Sequence, residues 1–226
     1  MNLFTSVRAR SVLAHGESRL IGEIRQWLGA TSPAAPFGIG DDCAVLPPTR
    51  KLQLVTTDPV IFGRHFDETV PARAVGAKLL KRNLSDIASM GGRPGAAVVS
   101  LALAADTNVA WVREFYLGLA ACARRSGVKI VGGDLTQGPP GFFGAFLTLH
   151  GEAAGRRIVT RAGARPGDRL YVTGRLGGRL LGQRLVQDLQ RLAAAVGPAH
   201  SEDVGRAALA QLLHVGVAGE LRRFLP

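Results

Sequence analysis

Residues 78–94 place the strongest local constraint on the fold, because they combine a helical apolar pattern with an abrupt stop. From the residue just before this stretch, apolar residues recur at helical spacing: Ala77, Leu80, Leu84, Ile87 and Ala88. Gly91, Gly92 and Pro94 follow; glycine tolerates the left-handed end of a helix, and proline cannot continue one. The stretch predicts an amphipathic helix that buries one face against another layer.

A short polar segment lies in the middle of this expected helix, at Asn83, Ser85 and Asp86. Short polar side chains compete with the helical backbone for hydrogen bonds and are mediocre helix formers. A sequence that accepts this cost either exposes the polar face to solvent or uses it in a site. The segment alone leaves both interpretations open.

Four aspartates with similar surroundings favour a site: Asp42, Asp58, Asp86 and Asp134. Each lies at an expected strand end or helix edge beside Gly, Ser or Thr, without an obvious basic partner in the sequence. Mg²⁺ prefers oxygen ligands, and several ions bridging a triphosphate would need this many carboxylates. Taken singly, each aspartate also fits a turn or a helix cap. Neither a Walker A loop nor a kinase-type glycine loop accompanies them.

Charge and cysteine content narrow the functional classes. The net charge of +11 favours an anionic substrate or partner, but the basic residues are dispersed and lack interleaved aromatics, so nucleic acid is unlikely. Cys43 and Cys122 lie far apart, which fits reduced thiols in a cytoplasmic protein better than a disulfide or zinc site. No apolar run reaches the ~18 residues of a membrane span. A signal-peptide core is also lacking, so we expect a cytoplasmic protein without a membrane partner.

The succession of patterns predicts an α/β (α+β) fold in which helices pack on a mixed sheet. Helices are expected at 18–28, at 111–126 and between a cap at 69–71 and Gly91. Strands are expected at 52–58, 96–102, 128–131, 142–151 and 156–161, with a short strand beginning within 37–46 and a loop at 59–66. A turn-rich segment at 164–168 places a boundary after residue 161. Residues 1–161 then form a metal-binding, ATP-binding and dimerisation domain, and 162–226 an incomplete second α/β domain.

Five motifs follow one another in order and together resemble the thiamine-monophosphate kinases of the aminoimidazole ribonucleotide synthetase superfamily. They are Gly38-Ile-Gly-Asp-Asp42, Thr56-Thr-Asp58 with Gly63-Arg-His-Phe66, Asn83-Leu-Ser-Asp86 with Met90-Gly, Gly132-Gly-Asp-Leu-Thr136 with Gly138-Pro139, and Arg161-Ala-Gly-Ala-Arg-Pro-Gly-Asp168. Each motif is weak by itself, whereas the ordered set is specific. The resemblance covers residues 18–182.

The resemblance implies ATP- and Mg²⁺-dependent phosphorylation of thiamine monophosphate to thiamine diphosphate by direct in-line transfer, without a protein nucleophile. It implies that several Mg²⁺ ions are held by Asp42, Thr56, Thr57, Asp58, Asp86 and Asp134. The implied ATP-binding residues are Gly133, Asp134, Arg161 and Tyr116, and the implied substrate-binding residue is His65. It also implies a homodimer in which the N-terminal domains pair through their sheets.

The pattern of the family continues into a second domain with an Asp-x-Ser-Asp-Gly motif and a late aromatic substrate contact, which this chain lacks. Residues 183–226 are instead rich in Ala, Leu and Arg, with helices expected at 186–196 and 206–214. A truncated chain, a frameshifted reading frame and a natural short form would all look like this. The alternative function is therefore a catalytically impaired, dimerising Mg-ATP-binding fragment or interaction module. A nucleic-acid-binding function rests on charge alone.

Overall fold

The computed structural model describes residues 1–155, 157–162 and 165–169. The chain divides into two units, Met1–Gly163 and Ala164–Pro226, and every element named below belongs to the first. The helices are α1 (Val12–His15), α2 (Glu17–Leu28), α3 (Ala72–Ser89) and α4 (Val109–Ser126), with single 3₁₀ turns at Arg8–Arg10 and Gly29–Thr31. The strands are β1 (Gln53–Ile61), β2 (Gly92–Leu103), β3 (Lys129–Gln137) and β4 (Phe143–Ala153). The helices expected at 186–196 and 206–214 lie outside the described residues.

The four strands form one mixed sheet in the order β1-β4-β2-β3. β4 is antiparallel to both of its neighbours, and β3 is parallel to β2. The parallel pair arises because α4 connects β2 to β3, as a crossover helix must. This is the predicted mixed sheet packed by helices, and β1 and β3 are its two edges.

The described helices lie against one face of the sheet. α3 lies against β1, β4 and β2, and it packs along α4, which α2 contacts in turn. Side chains on alternate strand positions, such as Val60, Val99 and Leu147, are buried beneath these helices. On the other face, Val55, Val98 and Phe146 are 59%, 37% and 39% exposed. One side of the sheet therefore carries the core, and the other presents an apolar surface.

Two glycines let α3 and α4 approach each other closely. A Cβ atom on Gly76 of α3 would lie 2.0 Å from the carbonyl oxygen of Phe115, and one on Gly118 of α4 would lie 2.0 Å from that of Arg73. Each helix thus packs its backbone against a glycine of the other. This contact sets the position of α3, which carries Asp86.

Two predicted strands and several predicted boundaries were wrong. No strand forms within 37–46 or among residues 157–161. β1 continues past Asp58 through Pro59 to Ile61, because an edge strand tolerates a proline that cannot donate a hydrogen bond. β3 runs through Gly133 and Asp134 instead of ending before them. The residue before α3 is Pro71, which makes no side-chain cap, and Thr69 bonds to Asp67 instead.

Candidate functional site

Two side-chain pairs connect β1 to α3. Thr56 and Asp58 are two residues apart on the strand and therefore share a face, while Arg82 and Asp86 are one helical turn apart. The Thr56 hydroxyl donates to Asp86 Oδ2 at 2.7 Å, and Arg82 Nη2 donates to Asp58 Oδ1 at 2.8 Å. The two pairs are therefore neighbouring side-chain contacts between the strand and the helix.

Asp86 opens onto a cavity of about 810 Å³. Thr56, Asp86 and Arg161 line it together with Ser85 and Ser89. Arg161 lies there because the segment 157–162 runs beside the C-terminal end of α3. Val159 N donates a hydrogen bond to the carbonyl oxygen of Met90, the residue after α3, at 3.1 Å. A carboxylate, hydroxyls and a guanidinium thus share one concave surface, a combination that suits a metal-bound phosphate. We call this cavity, with Thr56, Asp86 and Arg161, the β1-edge site.

A second cavity, of about 610 Å³, lies beside the opposite edge strand β3. Asp42, Tyr116, Gly133 and Asp134 line it, and we call this group the β3-edge site. Tyr116 is only 3% exposed, and burial raises the pKa of its phenol, so it remains a neutral hydrogen-bonding group. Gly133 is required here, because a Cβ atom would lie 1.9 Å from the carbonyl oxygen of Val99 on β2.

His65 is held in its neutral form. Its Nδ1 atom accepts a hydrogen bond from Ile61 N at 3.0 Å, and the Lys78 ammonium donates to its carbonyl oxygen. Burial lowers the pKa of His65, and the charges of Arg82, Lys78 and Arg64 lower it further. The histidine therefore lies in cationic surroundings that would attract an anionic group.

The structure does not bring all the expected metal-binding residues together within one chain. Thr57 lies on the opposite face of β1 from Thr56, and its hydroxyl donates to Leu147 O at 3.1 Å. The β1 and β3 edges are separated by three strand spacings, or roughly 14 Å. Among the residues that the structure describes, no three His, Cys, Asp or Glu side chains converge to hold a metal ion. Thr56 and Asp86 line the β1-edge site, Asp42 and Asp134 line the β3-edge site, and Thr57 and Asp58 line neither.

Asp58 departs from the expectation that the four aspartates lack basic partners, because it forms an ion pair with Arg82. The sequence contained the signal. Asp58 lies two strand positions after Thr56, and Arg82 lies one helical turn before Asp86, so a Thr56–Asp86 contact implies an Asp58–Arg82 contact. Motif position alone could not reveal this pairing.

Sequence reasoning also missed Ser18 and Arg25, two residues of α2 that line the β3-edge site. Arg25 is the only guanidinium among the described residues that line this cavity, which also contains Asp41, Asp42 and Asp134. The amphipathic pattern of α2 indicated which of its residues face the core. It did not indicate that the polar residues of this helix line a cavity beside β3.

The carboxylates present can accommodate Mg²⁺ only in part. Mg²⁺ keeps several waters and substrate phosphates in its shell, so one or two protein carboxylates suffice to anchor it. Asp86 at the β1 edge, and Asp42 and Asp134 at the β3 edge, satisfy this requirement. Asp58 lines neither cavity and forms an ion pair with Arg82.

None of the described helices is both long and apolar enough to span a membrane.

Residues 40–153 match the family model "AIR synthase related protein, N-terminal domain". The thiamine-monophosphate kinase of Escherichia coli (strain K12) is 34% identical over 184 residues, which cover 81% of this chain and 55% of that protein.

Two solved structures show the same likeness. A thiamine-monophosphate kinase from Stenotrophomonas maltophilia K279a is 33% identical, with a TM-score of 0.62 over 75% of this chain and 52% of its own. AaThiL complexed with AMPPCP and TMP is 34% identical, with a TM-score of 0.57 over 77% of this chain and 53% of its own. This chain thus spans about half the length of these relatives. Because the family model matches half of its residues and the motifs, fold and relatives agree with it, the chain belongs to the AIR synthase related protein family.

Proposed function

We propose that this chain acts as a thiamine-monophosphate kinase, which transfers the γ-phosphoryl group of ATP to thiamine monophosphate in the presence of Mg²⁺. The observation that carries the proposal is the β1-edge site, where Asp86, Thr56 and Arg161 line one cavity. Relatives named thiamine-monophosphate kinase, one of them complexed with AMPPCP and TMP, support the choice of substrates.

The residues of the chain would act by positioning and charge neutralisation. Phosphoryl transfer through a loose transition state needs aligned groups more than covalent chemistry. Thr56 fixes the Asp86 carboxylate by its hydrogen bond, and Arg161 offers a planar cation to phosphate oxygens. Mg²⁺, when bound to Asp86, would neutralise charge on the transferred group. No protein nucleophile is needed in this in-line reaction.

The β3-edge site would take the nucleotide. The backbone at Gly133 comes close to the neighbouring strand, and Tyr116 and Ile130 provide an apolar wall beside Asp134. Such a wall suits a purine ring, and Asp134 with Asp42 suits a metal bound to its phosphates. His65, neutral and surrounded by cations, would contact the phosphate of the acceptor.

The two edge sites would meet in a homodimer. They lie at opposite edges of one sheet, and a second copy would bring the β1 edge of one chain to the β3 edge of the other. The uncovered sheet face carries Val55, Val98 and Phe146, which a second copy would bury.

The cytoplasmic location expected from the sequence stays a prediction.

Coupled ADP release tests the proposal. The chain with ATP, Mg²⁺ and thiamine monophosphate should release ADP, and omission of thiamine monophosphate should abolish the release. Stabilisation against heat by Mg-ATP without turnover would favour the alternative, a catalytically impaired Mg-ATP-binding module. Absence of both turnover and stabilisation would contradict both functions. Binding to duplex DNA that weakens steeply with salt would instead favour a nucleic-acid partner.

A further inference from the structure

Helix α2 forms one wall of the β3-edge site. Ser18, Gly22 and Arg25 are spaced four and three residues apart, so they lie on one side of the helix, and all three line the cavity. The Arg25 side chain also approaches the loop that carries Asp42. Its Nη1 atom would lie 3.8 Å from a Cβ atom added at Gly40. The guanidinium thus lies at the cavity and close to its acidic loop.

Arg25 supplies the only positive charge among the described residues that line this cavity, which also contains Asp41, Asp42 and Asp134. The phosphates of a nucleotide carry several negative charges, and the three carboxylates would repel them. A bound Mg²⁺ offsets part of this repulsion, and a guanidinium can bind phosphate oxygens through two parallel N–H groups. The charges of the cavity therefore favour a contact between Arg25 and phosphate.

Within the described part of the chain, Arg25 has no competing partner, because its guanidinium takes part in none of the ion pairs there. The carboxylate closest to it along the helix is that of Glu23. His15 Nε2 contacts this carboxylate at 3.0 Å, and Arg19 Nε contacts it at 3.2 Å. Glu23 is therefore neutralised by other side chains, and Arg25 is available to a ligand.

Gly22 lies in the interior of α2, where glycine weakens a helix relative to alanine. Close packing explains such a glycine in α3, since a Cβ atom on Gly76 would lie 2.0 Å from the carbonyl oxygen of Phe115. Among the described residues, nothing lies within 4 Å of a Cβ atom added at Gly22. The space beside Gly22 belongs to the cavity, so a bound ligand would use it.

We propose that Arg25 binds the phosphates of the nucleotide in the β3-edge site, and that Gly22 keeps open the space in which this nucleotide lies. The inference rests on the proposed function and deepens it, because it adds α2 to the nucleotide site formed by Tyr116, Gly133 and Asp134.

Isothermal titration calorimetry with two Mg²⁺-bound probes tests the phosphate contact. The probes are AMPPCP and inorganic tripolyphosphate, which has no nucleoside. Arg25→Gln should bind each probe at least tenfold more weakly than the wild type, because a charge-assisted hydrogen bond is lost in both cases. Arg25→Lys should recover part of the affinity, since it restores the charge without the planar guanidinium.

Two substitutions of Gly22 test the open space. Gly22→Ala and Gly22→Leu should weaken AMPPCP binding in that order, with a loss of at least tenfold for leucine, because the added atoms occupy the cavity. Gly22→Ala should not unfold at a lower temperature than the wild type without nucleotide, since its Cβ atom meets no described residue and alanine favours a helix. Weaker binding by a protein of equal or higher stability separates a ligand clash from a folding defect.

Arg19→Gln is the matched control for Arg25→Gln. It removes the same charge from the same helix, at a side chain that is 69% exposed and does not line the cavity. Its affinities for both probes should stay within twofold of the wild-type values.

Wild-type affinity of Arg25→Gln for both probes would overturn the phosphate contact. Loss of AMPPCP binding without loss of tripolyphosphate binding would also overturn it, because Arg25 would then contact the nucleoside. Unchanged AMPPCP affinity in both Gly22 variants would overturn the role of Gly22. If the wild type binds neither probe, the proposed nucleotide site fails, and this inference fails with it.

Discussion

At the scale of single residues, the Thr56 hydroxyl determines how Asp86 presents its charge. By donating to Oδ2 at 2.7 Å, it fixes the carboxylate at the wall of the β1-edge site instead of leaving it to swing in solvent. Asn83, three residues earlier, has a different role. It is fully buried and donates to Leu79 O at 3.0 Å within the helix.

Asp86→Asn should abolish the thermal stabilisation that Mg-ATP gives, because the amide keeps the shape but removes the negative charge that anchors the metal. A ligand at 100 times its Kd stabilises by about 2.7 kcal/mol, and most of this should be lost. Differential scanning fluorimetry measures it. Asp106→Asn, at an exposed turn between β2 and α4, should behave like the wild type. An unchanged shift in Asp86→Asn would remove Asp86 from the site.

His65 should make stability depend on mild acid. Burial, followed by Arg82, Lys78 and Arg64, lowers its pKa from 6.5, so the folded protein binds fewer protons than the unfolded chain between the two pKa values. The free energy of unfolding should therefore fall as the pH drops from 6.5 through the folded-state pKa.

Urea denaturation at about pH 7.5 and about pH 5 checks this dependence. His65→Asn keeps an acceptor for Ile61 N but cannot be protonated, so it should lose less stability on acidification than the wild type. His150→Asn serves as the control, because His150 lies on the face of the sheet opposite the helices. An equal loss in the wild type and in His65→Asn would show that His65 does not contribute.

The sequence predicted residue types at the site better than residue partners. The polar segment within α3 was recognised as unusual, but spacing alone could not distinguish buried Asn83 from cavity-lining Asp86. Arg82 was overlooked, because its partner Asp58 is remote in sequence and is brought close only by the antiparallel course of β1 and α3. Contacts between elements depend on packing, which motif order does not encode.

At the scale of elements, the close contact between α3 and α4 rests on Gly76 and Gly118. Glycine normally weakens a helix interior by about 1 kcal/mol relative to alanine. Here the missing side chains let the backbones of α3 and α4 come into contact. This contact between the helices holds Arg82 and Asp86 of α3 opposite Asp58 and Thr56 of β1.

Gly76→Ala should destabilise the protein by about 2 kcal/mol or more, because its methyl group would overlap the carbonyl of Phe115 and overpacking outweighs the gain in helix propensity. Gly22→Ala in α2 is the matched control. Its added Cβ would meet nothing within 4 Å, so it should stabilise by up to about 1 kcal/mol. Urea denaturation measures both. Equal stability of the two variants would show that the helices can separate without cost.

The three long helices and four of the six expected strands were predicted correctly, whereas their ends were often wrong and no strand forms within 37–46 or among 157–161. The periodicities of α2, α3 and α4 are long enough to be recognised, and their existence is confirmed. β1 and β3 continued through Pro59 and Gly133, residues that usually interrupt strands. The first is tolerated because β1 is an edge strand, and the second is required because of the close approach to Val99. Neither reason is visible before the strand order is known.

At the scale of the whole molecule, the described helices cover one side of the sheet, and Val55, Val98 and Phe146 are exposed on the other. Phe146→Asp should convert a dimer to monomers, because a carboxylate at the centre of this face would be buried without a partner. Sedimentation velocity reports the change. Leu13→Asp, at a residue 60% exposed outside the sheet, should leave the assembly as it is. A monomeric wild type would contradict the homodimer.

The separation of the two edge sites has a consequence for genetics. If each working centre joins the β3 edge of one copy to the β1 edge of another, an Asp134→Asn allele and an Asp86→Asn allele damage opposite halves. In a mixed dimer, both lesions then fall in one centre and the other centre is intact. Random mixing of the two inactive chains should restore about a quarter of the wild-type activity. Two null alleles of one gene would complement each other, as alleles of separate genes do.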